Sequence, residues 1–309
     1  MTGICEGRVV IVTGAGRGIG RGHALEFARE GATVVVNDIG ADVDGTGSAD
    51  GPAGDVVEMI RAEGGRARVD GSDVSDEEGA RRLITDTIEE YGDLHVLVNN
   101  AGILRDRMLT NMTAAEWDDV IRVHLRGTFL PLHHAAQYWK RQSKSGAAVD
   151  ARVINTSSSS GIYGNVGQGN YGAAKAGIAS LSIIASMELA RYGVTVNAIA
   201  PAALTRMTEN LGGNARREKP APGEFDPSAA DNIAPLVVWL GSEQSSGITG
   251  RVFNVRGGHI SVAEGWHAGP SEDKGAKWQP GELGEVIPRL VAEAAPNAGM
   301  NGSIPEGVR

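Results

Sequence analysis

Cysteine is almost missing from this chain: Cys5 is the only one in 309 residues. An intramolecular disulfide is therefore impossible, and such usage fits a reducing, cytoplasmic location. No unbroken apolar run reaches the length of a membrane span, so none is expected. The opening residues, Met-Thr-Gly-Ile-Cys-Glu-Gly-Arg, lack the shape of a signal peptide. Lysine and arginine form no block, and the net charge is -9, which argues against nucleic acid as a partner. His-x-x-x-His and Cys-x-x-Cys clusters are absent, so no metal is expected. No repeat of solenoid length occurs either.

What is present is an apolar share of 41% and 44 glycines, enough for a large core, with many glycines at strand-to-helix junctions. Residues 9–13 are an apolar run suited to a buried strand. Gly14-Ala15-Gly16-Arg17-Gly18-Ile19-Gly20 follows, then a helical pattern, then a second apolar run at 33–36 ending in Asn37-Asp38. Strand, glycine turn, helix, strand and acid is the order of a dinucleotide site. Such glycines let the main chain approach a pyrophosphate at a helix N-terminus. Asp38 would accept from the adenosine ribose and repel a 2′-phosphate, which favours NAD over NADP; Arg17 points the other way.

Residues 40–54 read as an irregular loop. A helix is expected at about 53–63 and a strand at 66–70, after which Asp73 could meet the adenine amino group. Ser75-x-x-Glu78 looks like a capping box opening a helix to about Tyr91. The fourth strand, 94–98, ends in Asn99-Asn100-Ala101-Gly102. A second capping box, Thr113-x-x-Glu116, opens a long amphipathic helix that Pro131 should kink. His124 lies on its apolar face, where a histidine is ordinarily a core residue.

Residues 151–156 are the fifth strand and feed Ser158. Tyr171 and Lys175 are four apart, so a helix puts both on one face. An ammonium beside a phenol is expected to lower the tyrosine pKa towards working pH and fit it for proton transfer. Alone, Tyr-x-x-x-Lys could equally be a packed Tyr with a surface Lys. The sixth strand, 194–199, ends at Pro201. The polar stretch 204–230 reads as a substrate lid at the carboxyl edge of the sheet. A helix at 231–241 and a strand at 251–255 complete the pattern. The expected fold is α/β: one doubly wound Rossmann-type sheet of about seven parallel strands with helices on both faces, spanning 1–258. Residues 259–309 form an extension with one helical piece near 284–295. Its Trp266 and Trp278 suggest docking on the same or a neighbouring subunit.

Together these motifs resemble the short-chain dehydrogenases/reductases over roughly residues 5–258. They are Thr13-Gly14-x-x-x-Gly18-x-Gly20, Asp73, Asn99-Asn100-Ala101-Gly102, Ser158, Tyr171-x-x-x-Lys175, Asn197 and Pro201. Val35-Val36-Asn37-Asp38, Ala101 to Asp106, His124-Leu125-Arg126-Gly127, Ser160 to Asn165 and Arg206-Met207-Thr208 look most like the (3R)-hydroxyacyl-CoA dehydrogenase module of multifunctional enzyme type 2. The resemblance implies NAD-dependent interconversion of a secondary alcohol and a ketone. Tyr171 would be the acid/base, Ser158 the oxygen holder, and Lys175 the partner of tyrosine and nicotinamide ribose. It implies cofactor contacts from Thr13, Gly14, Gly16, Arg17, Gly18, Ile19, Gly20, Asp38, Asp73, Val74, Asn100, Ala101, Gly102, Tyr171, Lys175, Pro201 and Thr205. Where most of the family has an asparagine that supports a proton relay, this chain has His124, so a backbone carbonyl or the imidazole would take that part. A homotetramer or homodimer is implied.

Two substrate classes fit. A 3-hydroxyacyl-CoA would use cations at the mouth, for which Arg105, Arg107 and Arg206 stand ready; a hydroxysteroid would want an apolar lid. A 3-oxoacyl carrier-protein ester is a third option that Asp38 disfavours. An NAD-binding sensor without turnover would be expected to show a broken Ser/Tyr/Lys set, and this set is whole.

Overall fold

A computed structural model describes residues 3–40, 51–205, 220–221 and 223–304. Its centre is an eight-stranded sheet in the order β3-β2-β1-β4-β5-β6-β7-β8. The strands are β1 (Val9–Thr13), β2 (Thr33–Asn37), β3 (Arg66–Asp70), β4 (Val96–Asn99), β5 (Ala151–Thr156), β6 (Val194–Pro201), β7 (Val252–Arg256) and β8 (His259–Ala263). The first seven are parallel, and β8 returns antiparallel to β7. The expectation of about seven parallel strands is corrected to eight with one antiparallel. The added strand starts at His259, so the sheet runs into the segment read as an extension. Gly257-Gly258 makes the tight link that a hairpin needs.

Central strands covered on both faces must be apolar on both, and β1, β2, β4 and β5 are buried along their whole length. Successive side chains alternate between the faces. Val10, Val12, Val34 and Val36 pack with Phe27, Val56, Ile60 and Val237 from α1 (Gly18–Arg29), α2 (Gly51–Ala62) and α8 (Ala234–Gly241). Ile11, Val35, Leu97, Val153 and Val196 pack on the other side. Their partners include Leu83, Trp139, Ala185 and Leu189 of α3 (Glu77–Tyr91), α5 (Gly127–Lys144) and α7 (Gly169–Leu189). Cys5, ahead of β1, is fully buried, and its Sγ lies 3.6 Å from the Val238 carbonyl in α8. At the opposite edge from the glycine turn, Arg8 and Arg152 share the Asp150 carboxylate at 2.8 and 2.6 Å.

Local details depart from expectation in informative ways. The cap of α3 is Asp76, which accepts from the Gly79 N–H at 2.7 Å, not Ser75. Ser75 instead turns its N–H and hydroxyl to Asp73 at 2.8 and 2.7 Å. The Thr113/Glu116 box does open α4 (Ala114–Val120), as expected. The helix that continues from α4 widens into a π turn at Ile121–Arg126 before α5, upstream of Pro131. The stretch Gly169–Tyr192 is, by length and composition, apolar enough to cross a membrane, although Asn170, Lys175, Glu188 and Arg191 interrupt it. Here one face of it packs on β5 and β6, and it carries Tyr171 and Lys175. In the extension, α9 (Leu283–Glu293) buries none of its residues. Trp266 is 99% exposed, so it docks on nothing among the described residues.

Candidate active site

The strand order reverses between β1 and β4, and open parallel sheets bind ligands at the carboxyl ends flanking such a reversal. A cleft of about 1010 Å³ lies there. At its β1 end the main chain does the shaping. Gly14 has φ +62, and a Cβ on it would meet the Ala101 Cα at 2.8 Å, so only glycine fits. The Asn100 amide clamps the turn by donating to the carbonyls of Thr13 and Gly14 at 3.0 and 3.1 Å. The Thr13 hydroxyl accepts from the N–H groups of Asn100 and Ala101 at 2.9 and 3.1 Å. Helix α1 then starts at Gly18 behind Arg17, whose side chain makes no cap hydrogen bond. Its first N–H groups are left for an anion.

Asp38, at the end of β2, accepts from the N–H of Gly16 at 2.8 Å and of Gly40 at 2.7 Å. The acid thus faces the glycine turn directly. Of the residues read as cofactor contacts, Gly14, Arg17, Gly18, Ile19, Gly20, Asp38, Asp73, Val74, Asn100, Ala101, Gly102, Tyr171, Lys175, Pro201 and Thr205 line the cleft. Thr13 and Gly16 do not: Thr13 is 1% exposed with its hydroxyl committed to the end of β4, and Gly16 holds Asp38. Both shape the cradle from behind. A nicotinamide dinucleotide fits this set, with uncapped N–H groups for pyrophosphate and a carboxylate for ribose.

At the β5 end, Ser158 caps α6 (Ser159–Tyr163), its hydroxyl accepting from the Ser160 N–H at 3.2 Å. Tyr171, on the first turn of α7, lies close enough to Ser158 for that hydroxyl to lower its pKa. Lys175 is 3% exposed, donates to the Thr156 carbonyl at 2.6 Å, and sits 5.5 Å from the centre of the Tyr171 ring. The three expected groups therefore converge. Their proton affinities differ from expectation. Burial pushes Tyr171 up to about 12, opposed by the Ser158 hydroxyl and reinforced by the Asp106 carboxylate. Burial also pulls Lys175 down to about 7. Spacing predicted the ammonium as the dominant influence; desolvation of both groups outweighs it.

His124 is placed by the π turn, 1% exposed and edge-on to Tyr171, with ring centres 5.1 Å apart. Burial first, then the nearby Lys175 charge, holds it well below its ordinary pKa, so the ring is neutral. Its Nε2 faces the Ile103 main chain, 2.7 Å from the carbonyl and 3.1 Å from the N–H; it donates to one or accepts from the other according to tautomer. Gly102 leaves room for the ring, since a Cβ there would fall 2.3 Å from the imidazole Cε1.

Three positions not read from the sequence as site residues tie this end together. Gln168 donates to Asp106 at 2.8 Å and accepts from Ser160 and Asn165 at 2.7 and 2.9 Å. Asn170 donates to the carbonyls of Arg105 and Glu116 and accepts from the Tyr171 N–H. Burial raises the Asp106 pKa. For Gln168 and Asn170 the only signal was position, as polar side chains inside the glycine-rich run just before Tyr171; Asp106 closed the Ala101 to Asp106 motif of the resemblance. The expected CoA cations fare differently. Arg105 faces Asp119 at 3.7 Å and Arg107 pairs with Glu116 at 3.1 Å, and Arg206 lies outside the described residues. The expected lid is described only at its ends, residues 206–219 and 222 lying outside. Leu204, Thr205 and Ser228 line the cleft, with the Leu204 N–H donating to the Ser228 carbonyl at 2.7 Å.

A Ser/Tyr/Lys set beside a dinucleotide cradle, on a doubly wound sheet, is the constellation of one class of oxidoreductase. The family model described as short chain dehydrogenase matches residues 8–216, and the chain belongs to that family, whose members act on CH–OH groups. It is 43% identical to the hydroxyacyl-CoA dehydrogenase ChsB1 of Mycobacterium tuberculosis over 90% of this chain and 86% of that protein. It is 40% identical to peroxisomal multifunctional enzyme type 2 of Mus musculus over 84% of this chain but 32% of that longer protein. Among solved structures, a short chain dehydrogenase from Mycobacterium avium superposes with a TM-score of 0.87 at 56% identity, covering 96% of this chain and 98% of that one. The resemblance read from the motifs is thereby borne out.

Proposed function

We propose that the chain is an NAD-dependent dehydrogenase that interconverts a 3-hydroxyacyl-CoA-type alcohol and its ketone. The observation that carries the reaction is the convergence of Ser158, Tyr171 and Lys175 at the end of a cradle whose acid is Asp38. The relatives named for hydroxyacyl-CoA and peroxisomal enzymes support the substrate class. NAD is preferred because the Asp38 carboxylate stands where a 2′-phosphate would bring a second negative charge.

A nicotinamide in the cradle supplies the hydride acceptor. The chain's own groups handle the oxygen. Ser158 donates a hydrogen bond to it. Tyr171 takes its proton as the alcohol is oxidised and returns one when the ketone is reduced. Lys175, when charged, steadies the phenolate across 5.5 Å of buried space. The phenol that burial favours is the form that protonates a ketone; the phenolate is the form that oxidation requires. The neutral His124 holds the Ile103 main chain beside this centre. Exposed Phe129, Ile184 and Met187, on α5 and α7, support a homo-oligomer.

The test is NADH formation with (3R)- and (3S)-hydroxyacyl-CoA esters beside 3- and 17-hydroxysteroids, with NADP in parallel. Turnover of one CoA enantiomer with NAD is expected. Turnover confined to steroids, or to NADP, would overturn the substrate or the cofactor reading respectively.

A further inference from the structure

The segment beyond the sheet does not leave the cleft. After β8 and α9 the chain returns in a closed turn at 299–304. The Gly299 N–H donates to the Ser303 carbonyl at 2.9 Å and the Gly302 N–H to the Gly299 carbonyl at 2.8 Å. The turn rests on Tyr163 of α6: a Cβ on Gly302 would fall 2.9 Å from the Tyr163 hydroxyl. That hydroxyl accepts from Asn254 of β7 at 2.9 Å. The turn is thus seated on the short helix that Ser158 caps and is tied through Tyr163 to the strand that ends in Arg256. Met300, at the head of the turn, lines the cleft, as do the apolar Val166 and Leu204. Since α9 buries none of its residues, the segment's engagement with the site comes through this return turn.

Charge singles out the second residue. Of the arginines that line the cleft, Arg105 and Arg122 face Asp119 at 3.7 and 3.6 Å, and Arg122 also faces Asp73 at 3.7 Å. Arg256 lines the cleft, is exposed, and has no acidic partner among the described residues. A guanidinium without a counter-charge at a cleft rim presents a fork suited to phosphate or carboxylate.

We infer that the far wall of the cleft is an amphiphile site, in which Met300 meets the apolar part of the substrate and Arg256 holds an anionic group. Resting on the 3-hydroxyacyl-CoA reading above, the anion is a phosphate of the CoA portion and the apolar part is the acyl chain.

The test uses the full chain with NAD. Substrates are 3-hydroxyacyl-CoA esters of four and sixteen carbons and the matching N-acetylcysteamine thioesters, which lack phosphate. Arg256→Gln is expected to raise KM for the CoA esters about tenfold, with kcat and the KM of the N-acetylcysteamine thioesters unchanged, and Arg256→Lys to restore part of the loss. Met300→Ala is expected to raise KM for the sixteen-carbon ester about threefold more than for the four-carbon one. Equal shifts on both thioester types, or on both chain lengths, would overturn the assignment. If wild type turns over no hydroxyacyl thioester, the functional reading falls by itself. The site is then judged by calorimetric titration of palmitoyl-CoA into the enzyme–NADH complex. Binding that Arg256→Gln weakens tenfold or more upholds the site; no binding, or binding the variant leaves unchanged, removes it.

Discussion

At the β1 end of the cleft, shape comes from main chain and short bonds between neighbours. Gly14 touches Ala101, Asn100 clamps the turn, and Asp38 sits on the Gly16 N–H. At the β5 end, shape comes from side chains brought in from far apart: Gln168 onto Asp106, Asn170 onto Arg105 and Glu116, and Met300 from the last described turn. The first end is a rigid holder that many ligands of one type can use. The second is an assembly whose parts can change separately.

The division can be broken by experiment. Tyr171→Phe should lower kcat by about 10²–10⁴-fold, the scale of a positioned acid/base, while the dissociation constant for NADH, measured by fluorescence titration, stays in place. Matched losses in both would mean that the two ends are not separable. Asp38→Ala should do the reverse, raising KM for NAD about 10–100-fold through loss of charge-assisted hydrogen bonds, with kcat at saturating cofactor little changed and NADP better accepted. A lower kcat with unchanged KM would move Asp38 from the ribose to the chemistry.

Gly102→Ala probes the seam between the ends. Its Cβ would lie 2.3 Å from the His124 ring, an overpacking that costs about 1–3 kcal/mol. Urea unfolding should show that cost in wild type and lose most of it in a His124→Ala background, as coupled neighbours require. The same penalty in both backgrounds would clear His124 of the contact.

The smallest effect belongs to His23, buried in α1 with neither ring nitrogen hydrogen-bonded and its pKa pulled down to about 3 by burial. A base whose folded pKa lies below the unfolded 6.5 leaves stability intact above 6.5 and drains it as pH falls towards 3. His23→Leu should therefore lose less stability than wild type between pH 7.5 and pH 5 in paired urea titrations. Equal losses would show that other groups carry the acid limb.

The β1 end was legible in the sequence because its parts are contiguous or nearly so. Gly14, Gly18, Gly20 and Asp38 fall within one strand-turn-helix-strand unit, where spacing alone implies proximity. Tyr171 and Lys175 were legible for the same reason on one helix. Their pKa values were not, since spacing gives distance and not burial. Arg256 and Met300 carried no signal because nothing local in the sequence brings residue 300 back to Tyr163. β8 was missed although Gly257-Gly258 marks a hairpin, because an exposed edge strand lacks the unbroken apolar run that betrayed the central ones. At Ser75 the hydroxyl donates to Asp73 and accepts from Arg122 instead of accepting from a helix N–H.

Cys5 gives the molecule a silent thiol. Burial pushes its pKa up to about 12, so almost none of it is the thiolate that attacks disulfide reagents. A reagent such as Ellman's can reach it only when the segment ahead of β1 lifts from α8. With no other cysteine in the sequence, the rate of that colour change is a clock for one defined opening of the fold, readable without any engineered label.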